Sequence, residues 1–270
     1  MDMDASGELD FAKLERLEVW GTEIELFRAG SGLPLLFLHG LDGLEGSVSI
    51  LQELAKSYEV FAPSHPGFGA SELPDGMNRV DDMSYFYLDM LTVLDLDAPA
   101  IFGTSFGAWV ACEMLTKEPH SARSLTLASP LGLKTADRRE QWVVDLFMIT
   151  KQELAQRLQF APPEGPALTE MSETQMRRTL RADESLSLYG WSPYMCNPKL
   201  ARRLHRIACP TMVIWGEEDA FVDPAYRLQW DQAMPRAEVR VLAAAGHRSH
   251  SDKPVELAAM IEAFSTGAAS

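Results

Sequence analysis

A chain of 270 residues, 46% hydrophobic and 23% charged, has the length and composition of one large soluble domain, or one domain with an insert, and needs no disulfide or metal to build its core. The formal net charge of -15 speaks against nucleic acid and anionic membrane surfaces, which call for Lys and Arg. Cys112, Cys196 and Cys209 form no C-x-x-C pair and read as reduced thiols of a cytoplasmic protein, the acidic start MDMDASGELD is no signal peptide, and no run reaches the length of a membrane span.

Residues 1–16 read as a loose arm or helical prefix. Leu17–Trp20 and Glu23–Phe27 then alternate apolar and polar about Gly21-Thr22, which predicts an antiparallel hairpin. Pro34–Leu38 is continuously apolar, as in a strand buried on both faces, and ends in His39-Gly40-Leu41-Asp42-Gly43. An amphipathic helix over Ser47–Lys56 and a strand over Tyr58–Ala62 follow, and the loop Ser64-His65-Pro66-Gly67-Phe68-Gly69 comes next. Asp81–Leu94 is expected to be helical with Asp81 as N-cap. The strand Ala98–Phe102, the helix Ala108–Lys117 and the strand Ser124–Ala128 complete a β-α alternation that means a mostly parallel, doubly wound sheet.

From Leu131 to Ile207 the pattern offers no strand. Thr150-Lys151-Gln152-Glu153 and Ser172-Glu173-Thr174-Gln175 fit capping boxes, Asn197-Pro198 would open a helix over Lys199–Arg206, and 161–166 is a Pro-rich turn. This predicts an all-helical insert, 131–207, between core segments 17–130 and 208–266. The sheet resumes at Pro210–Trp215, a helix starts near Asp223-Pro224, Val239–Leu242 is the last strand, and Pro254–Phe264 closes the chain.

Gly103-Thr104-Ser105-Phe106-Gly107 lies between a strand and a helix. A serine set between two glycines there is forced into an unfavourable backbone conformation at a helix N-terminus, with side chains at the glycine positions excluded by neighbouring strand and helix. A serine hydroxyl needs a base, and the base needs a third group to hold its tautomer. Ser105, Asp219 and His247 supply these parts, each just after a predicted strand, where open α/β sheets place their sites. Glu218 and Asp223 compete with Asp219, but Asp223 is better explained as a helix N-cap; His250 competes with His247 and is expected to be a surface residue or pocket neighbour. No H-e-x-x-H, zinc spacing, dinucleotide fingerprint or P-loop is present, so neither metal nor cofactor is expected.

His39-Gly40, Pro66-Gly67-Phe68-Gly69, Gly103–Gly107, Trp215-Gly216-Glu217-Glu218-Asp219 and Gly246-His247, in this order, resemble the α/β-hydrolase superfamily from about Leu17 to Phe264. The resemblance implies the α/β-hydrolase fold with the helical insert as its cap, a Ser105–His247–Asp219 triad, and an oxyanion hole from the backbone N–H groups of Leu41 and Phe106. His39 is then expected to prop the oxyanion loop, and His65 to be structural. His39, Trp142, Phe147, Trp191 and Phe221 are candidate pocket residues, while the cap's aromatic and methionine side chains serve mainly its own core. Arg177, Arg178 and Arg181 are either a solvated helix face or a recognition site for an anionic substrate.

Ser105 argues against the superfamily's epoxide hydrolases and haloalkane dehalogenases, which carry Asp there. Hydrolases of ring-cleavage products usually have Asn before the nucleophile, Gly-Gly after it and Trp after the base; Thr104, Phe106-Gly107-Ala108 and Arg248 disfavour that activity here without removing it, and perhydrolysis stays open. The expectation is a hydrolase of small, rather apolar carboxylic esters, with C–C bond hydrolysis or non-catalytic small-molecule binding as alternatives. Substrate identity and oligomeric state are not legible.

Overall fold

The computed structural model describes residues 11–135, 141–161 and 171–267. Eight strands form one sheet in the order β1-β2-β4-β3-β5-β6-β7-β8. β1 (Glu15–Val19) and β2 (Thr22–Gly30) pair antiparallel, and β2 pairs antiparallel with β4 (Tyr58–Pro63). From β4 onward, through β3 (Leu33–Leu38), β5 (Ala100–Thr104), β6 (Ser124–Ala128), β7 (Thr211–Gly216) and β8 (Glu238–Leu242), every pair is parallel.

The apolar runs follow from burial on both faces. Successive strand side chains point to opposite sides. In β3, Leu36 and Leu38 join a cluster with α2 (Val80–Val93), α3 (Ser105–Lys117) and α6 (Pro224–Ala233). Leu35 and Phe37 join the opposite cluster, which holds Ile50, Leu51 and Leu54 of α1 (Val48–Leu54) and Leu257 and Ile261 of α8 (Pro254–Gly267). Helices therefore cover both faces, as a buried parallel sheet demands.

Between β6 and β7 the described residues carry α4 (Lys151–Leu158), α5 (Glu173–Gly190) and a 3-10 turn, with only isolated bridges, Gly132 to Cys196 and Val143 to Val222. Thr150 and Ser172 cap α4 and α5 as the sequence suggests, each accepting from the amide three residues on. Asp223 likewise caps α6, accepting from the Ala225 amide at 2.8 Å.

Three local expectations are corrected. The arm does not reach residue 16, because β1 begins at Glu15. α2 starts at Val80, where Asp82 accepts from the Arg79 amide at 3.2 Å; Asp81 sits inside the first turn and pairs with Lys117 Nζ at 2.9 Å instead of capping. Lys199–Arg206 is no α-helix. The Asn197 side chain accepts from the Lys199 amide at 2.9 Å, the Arg203 amide bonds back to Leu200 at 2.7 Å, and the chain tightens into a 3-10 turn, Leu204–Arg206. The first ten residues and the turn at 162–166 lie outside the described residues. α7 (Ser249–Asp252) is a single turn before α8.

Candidate active site

Three side chains meet beyond the carboxyl ends of β5, β7 and β8. Ser105 opens α3 directly from β5, with a φ of 50°, a left-handed conformation rare for a residue with a Cβ. The neighbouring backbones enforce it. A Cβ at Gly107 would lie 2.1 Å from the Leu38 carbonyl oxygen, and one at Gly103 would lie 2.7 Å from Ala108 Cα, so β3, β5 and α3 approach as only glycines permit.

Ser105 Oγ lies 2.8 Å from His247 Nε2, and His247 Nδ1 lies 2.9 Å from Asp219 Oδ2. Asp219 Oδ1 accepts from the amides of Phe221 at 2.9 Å and Val222 at 3.2 Å. Burial works to raise the Asp219 carboxyl, but His247, by charge and hydrogen bond, Arg227 and the Val222 amide together hold it below the ordinary carboxylate value. Asp219 is therefore an anion, His247 carries its proton on Nδ1, and Nε2 faces Ser105 Oγ as an acceptor. Ser105 is 4% exposed and His247 2%. Asp223 caps α6, and His250 is buried, not a surface residue.

Leu41 follows Gly40, which packs against the elbow so closely that a Cβ there would meet Ser105 Cβ at 3.4 Å. The Phe106 amide belongs to the first turn of α3, whose N–H groups have no acceptor within the helix.

His39 is fully buried. Its Nε2 accepts from the His65 amide at 2.9 Å, so its proton sits on Nδ1 and is donated to the Gly40 carbonyl at 2.9 Å. His65 Nε2 donates to the His39 carbonyl at 3.0 Å, and His65 Nδ1 accepts from the Tyr87 hydroxyl. Burial holds both rings neutral, His39 down at about 4 and His65 well below the ordinary value.

The candidate pocket residues divide. Phe221 is buried with its ring 4.7 Å from that of His247, and the Trp142 carbonyl accepts from the Asp223 amide nearby at 2.7 Å. Phe147 and Trp191 pack on each other at 5.2 Å, but Trp191 is 63% exposed. His39 has both ring nitrogens committed inside the protein, and Trp191 faces solvent. Arg178 is neither solvated nor free for a substrate, since Nη1 and Nη2 each donate to the buried Glu25 carboxylate at 2.7 Å and Nε donates to Glu45. Arg181 donates to the Ser71 carbonyl at 2.6 Å, and Arg177 pairs with Glu173 at 2.7 Å on the surface.

Three arrangements escaped the sequence: the Tyr87–His65–His39 chain; Arg248, whose guanidinium donates to Asp42 and to Gln159 Oε1, the latter at 3.3 Å; and the Glu25–Arg178 pair. An arginine directly after Gly246-His247 is the one signal that pointed to the second; no spacing rule joins Tyr87 to His65. No helix among the described residues is long and apolar enough to cross a membrane.

The sequence model of the alpha/beta hydrolase fold matches residues 34–254. The chain is 27% identical to the dihydrolipoyllysine-residue acetyltransferase component of the acetoin cleaving system of Cupriavidus necator, over 96% of this chain and 71% of that one. It is 24% identical to the 2-hydroxymuconate semialdehyde hydrolase of Pseudomonas sp. strain CF600, over 90% of each. The structure of a meta-cleavage product hydrolase from Pseudomonas fluorescens superposes with a TM-score of 0.77 at 17% identity, over 94% of this chain and 98% of that one.

Proposed function

The chain belongs to the alpha/beta hydrolase fold family, and on that footing we propose that it is a serine hydrolase of small, rather apolar carboxylic esters, acting in the cytoplasm. The observation that carries this is the unbroken Ser105–His247–Asp219 chain, at 2.8 and 2.9 Å, with the buried Phe221 ring 4.7 Å from that of His247. Segments 17–130 and 208–266 are the hydrolase core, and 131–207 is a cap over it.

Ser105 Oγ attacks the ester carbonyl as its proton passes to His247 Nε2. Asp219 stabilises the imidazolium. The carbonyl oxygen becomes an oxyanion held by the Leu41 and Phe106 amides, donors worth about 3 kcal/mol each in the transition state. His247 then protonates the departing alcohol and leaves an acyl-enzyme on Ser105. Water, deprotonated by His247, attacks that acyl group, and the acid departs as Ser105 regains its proton.

Hydrolysis of p-nitrophenyl esters of increasing acyl length, with Ser105→Ala as control, tests this. Serine-dependent turnover with a short-to-medium optimum is expected, and Ser105→Ala should lose about four to six orders of magnitude in kcat. Full turnover by Ser105→Ala would end the proposal.

A second reading, C–C bond hydrolysis of a ring-cleavage product, draws on the similarity to the 2-hydroxymuconate semialdehyde hydrolase along nearly the whole chain. Thr104, Phe106 and Arg248 weigh against it. Consumption of a ring-cleavage dienoate, by a Ser105 that is reactive but leaves esters intact, would favour it.

A further inference from the structure

The Leu41 amide lies in a loop that must hold its direction while charge develops on the substrate. Behind it, His39 fixes the Gly40 carbonyl. Ahead of it, Asp42 is held by Arg248, the residue directly after His247. Arg248 reaches three segments at once: its Nη2 donates to Asp42 Oδ1, its Nη1 donates to Gln159 Oε1 at 3.3 Å, and its backbone amide donates to the Leu158 carbonyl at 2.8 Å. Its Nε is buried with no hydrogen-bond partner among the described residues. A guanidinium kept there with one donor unsatisfied contributes less to stability than a fully bonded one would. Its position is explained by what its other two nitrogens hold.

Resting on the reading of Leu41 as an oxyanion donor, we propose that Arg248 is a positioning residue that acts through Asp42 to lock the Leu41 amide toward Ser105, coupling the oxyanion loop to the base loop. Asp42 is 32% exposed on its side chain and Arg248 19%, so the pair is shielded enough to resist solvent competition. The far end of the loop has its own tie, Ser251 Oγ to the Gly46 carbonyl at 2.7 Å. Loss of Arg248 therefore leaves the Leu41 end held by His39 alone, while the far end of the loop stays attached.

The test compares wild type, Arg248→Met, Arg248→Lys, Asp42→Asn and the Met/Asn double variant, all as the full chain. Two quantities are read: the rate at which a fluorophosphonate modifies Ser105, whose phosphonyl oxygen needs the same two amides, and amide hydrogen exchange in the peptide spanning 39–47. Arg248→Met and Asp42→Asn are expected to slow modification about tenfold to a hundredfold. Both should speed exchange at 39–47 by at least about tenfold while other peptides keep wild-type rates. The double variant should be no worse than either single one, and Arg248→Lys should recover part of the loss. Wild-type exchange at 39–47 in both single variants, or losses that add in the double variant, would overturn the proposal. If esters prove not to be substrates, both readouts still decide on Arg248; if Ser105 is inert to the fluorophosphonate, the catalytic reading fails and exchange alone decides on the lock.

Discussion

His39 Nδ1 donates to the carbonyl of Gly40, and the other side of that same peptide is the Leu41 N–H. A trans peptide is planar with C=O and N–H pointing oppositely, so anchoring one end aims the other. His39 thereby acts on the proposed oxyanion donor without touching substrate. His39→Leu removes the anchor and is expected to lower kcat about tenfold to a hundredfold with little change in KM. His39→Asn, whose amide can donate from nearly the same place, should recover part of the loss. Steady-state kinetics on the best p-nitrophenyl ester checks this, and a His39→Leu variant affected only in KM would count against it.

The left-handed φ of 50° at Ser105 is stored strain, of order 1–3 kcal/mol for a residue with a Cβ. Glycine carries no such cost. Ser105→Gly is therefore expected to be more stable than Ser105→Ala by about 1 kcal/mol, though both lack the nucleophile. Urea denaturation of the two variants measures it; equal midpoints would mean that the elbow is not strained.

The elbow was legible because its chemistry and its backbone demand the same local residues, a serine between glycines after an apolar run. Asp219 and His247 were legible because each follows a recognisable strand. The sheet was readable for a related reason: a strand buried on both faces, such as Leu33–Leu38, announces itself by unbroken apolarity. The arrangements that escaped are long-range polar ones. Glu25 and Arg178 are 153 positions apart and Asp42 and Arg248 206 apart, and nothing local in either pair marks its partner. The Lys199–Arg206 stretch misled for the opposite reason, since a good local helix start was overridden by bonds at closer spacing.

The Glu25–Arg178 pair carries its own prediction. Glu25 is fully buried, and its carboxylate also accepts from Ser64 Oγ at 2.6 Å. Burial alone would raise it, yet Arg178 and these hydrogen bonds hold it below the ordinary value. Arg178→Met strands that charge and should destabilise the protein by about 3–5 kcal/mol. The double variant with Glu25→Leu should recover much of the loss. A thermal or urea melt of the three proteins decides, and a single variant within 1 kcal/mol of wild type, by the ~3 kcal/mol yardstick for a broken buried pair, would refute it.

Acid should weaken this fold earlier than its carboxylates would suggest. Burial is the main cause holding His39 down at about 4 and His250 at about 3, against an ordinary histidine value of 6.5, and it holds His65 well below that value too. Above pH 6.5 these rings are neutral in both folded and unfolded chains, so stability there does not depend on them. Below it the unfolded chain takes up protons that the folded rings refuse. Stability then falls as pH drops, by about 1.4 kcal/mol per pH unit for each ring, until pH reaches the folded value. Asp219 and Glu25 behave otherwise: their folded values lie below 3.8 and 4.5, so the stability they contribute is present above those values and is lost only as pH falls through the folded ones. Urea midpoints should therefore be flat from about pH 7.5 to 6.5 and decline steeply from about 6 to 4.5. His250 is the ring to remove: its Nδ1 has no partner among the described residues, although the ring also bonds to the Gly46 backbone. His250→Gln should flatten the decline by about one proton, or ~1.4 kcal/mol per pH unit. If the slope between pH 6 and 4.5 is the same in that variant as in wild type, His250 is already protonated in the folded chain and is not a source of its acid sensitivity.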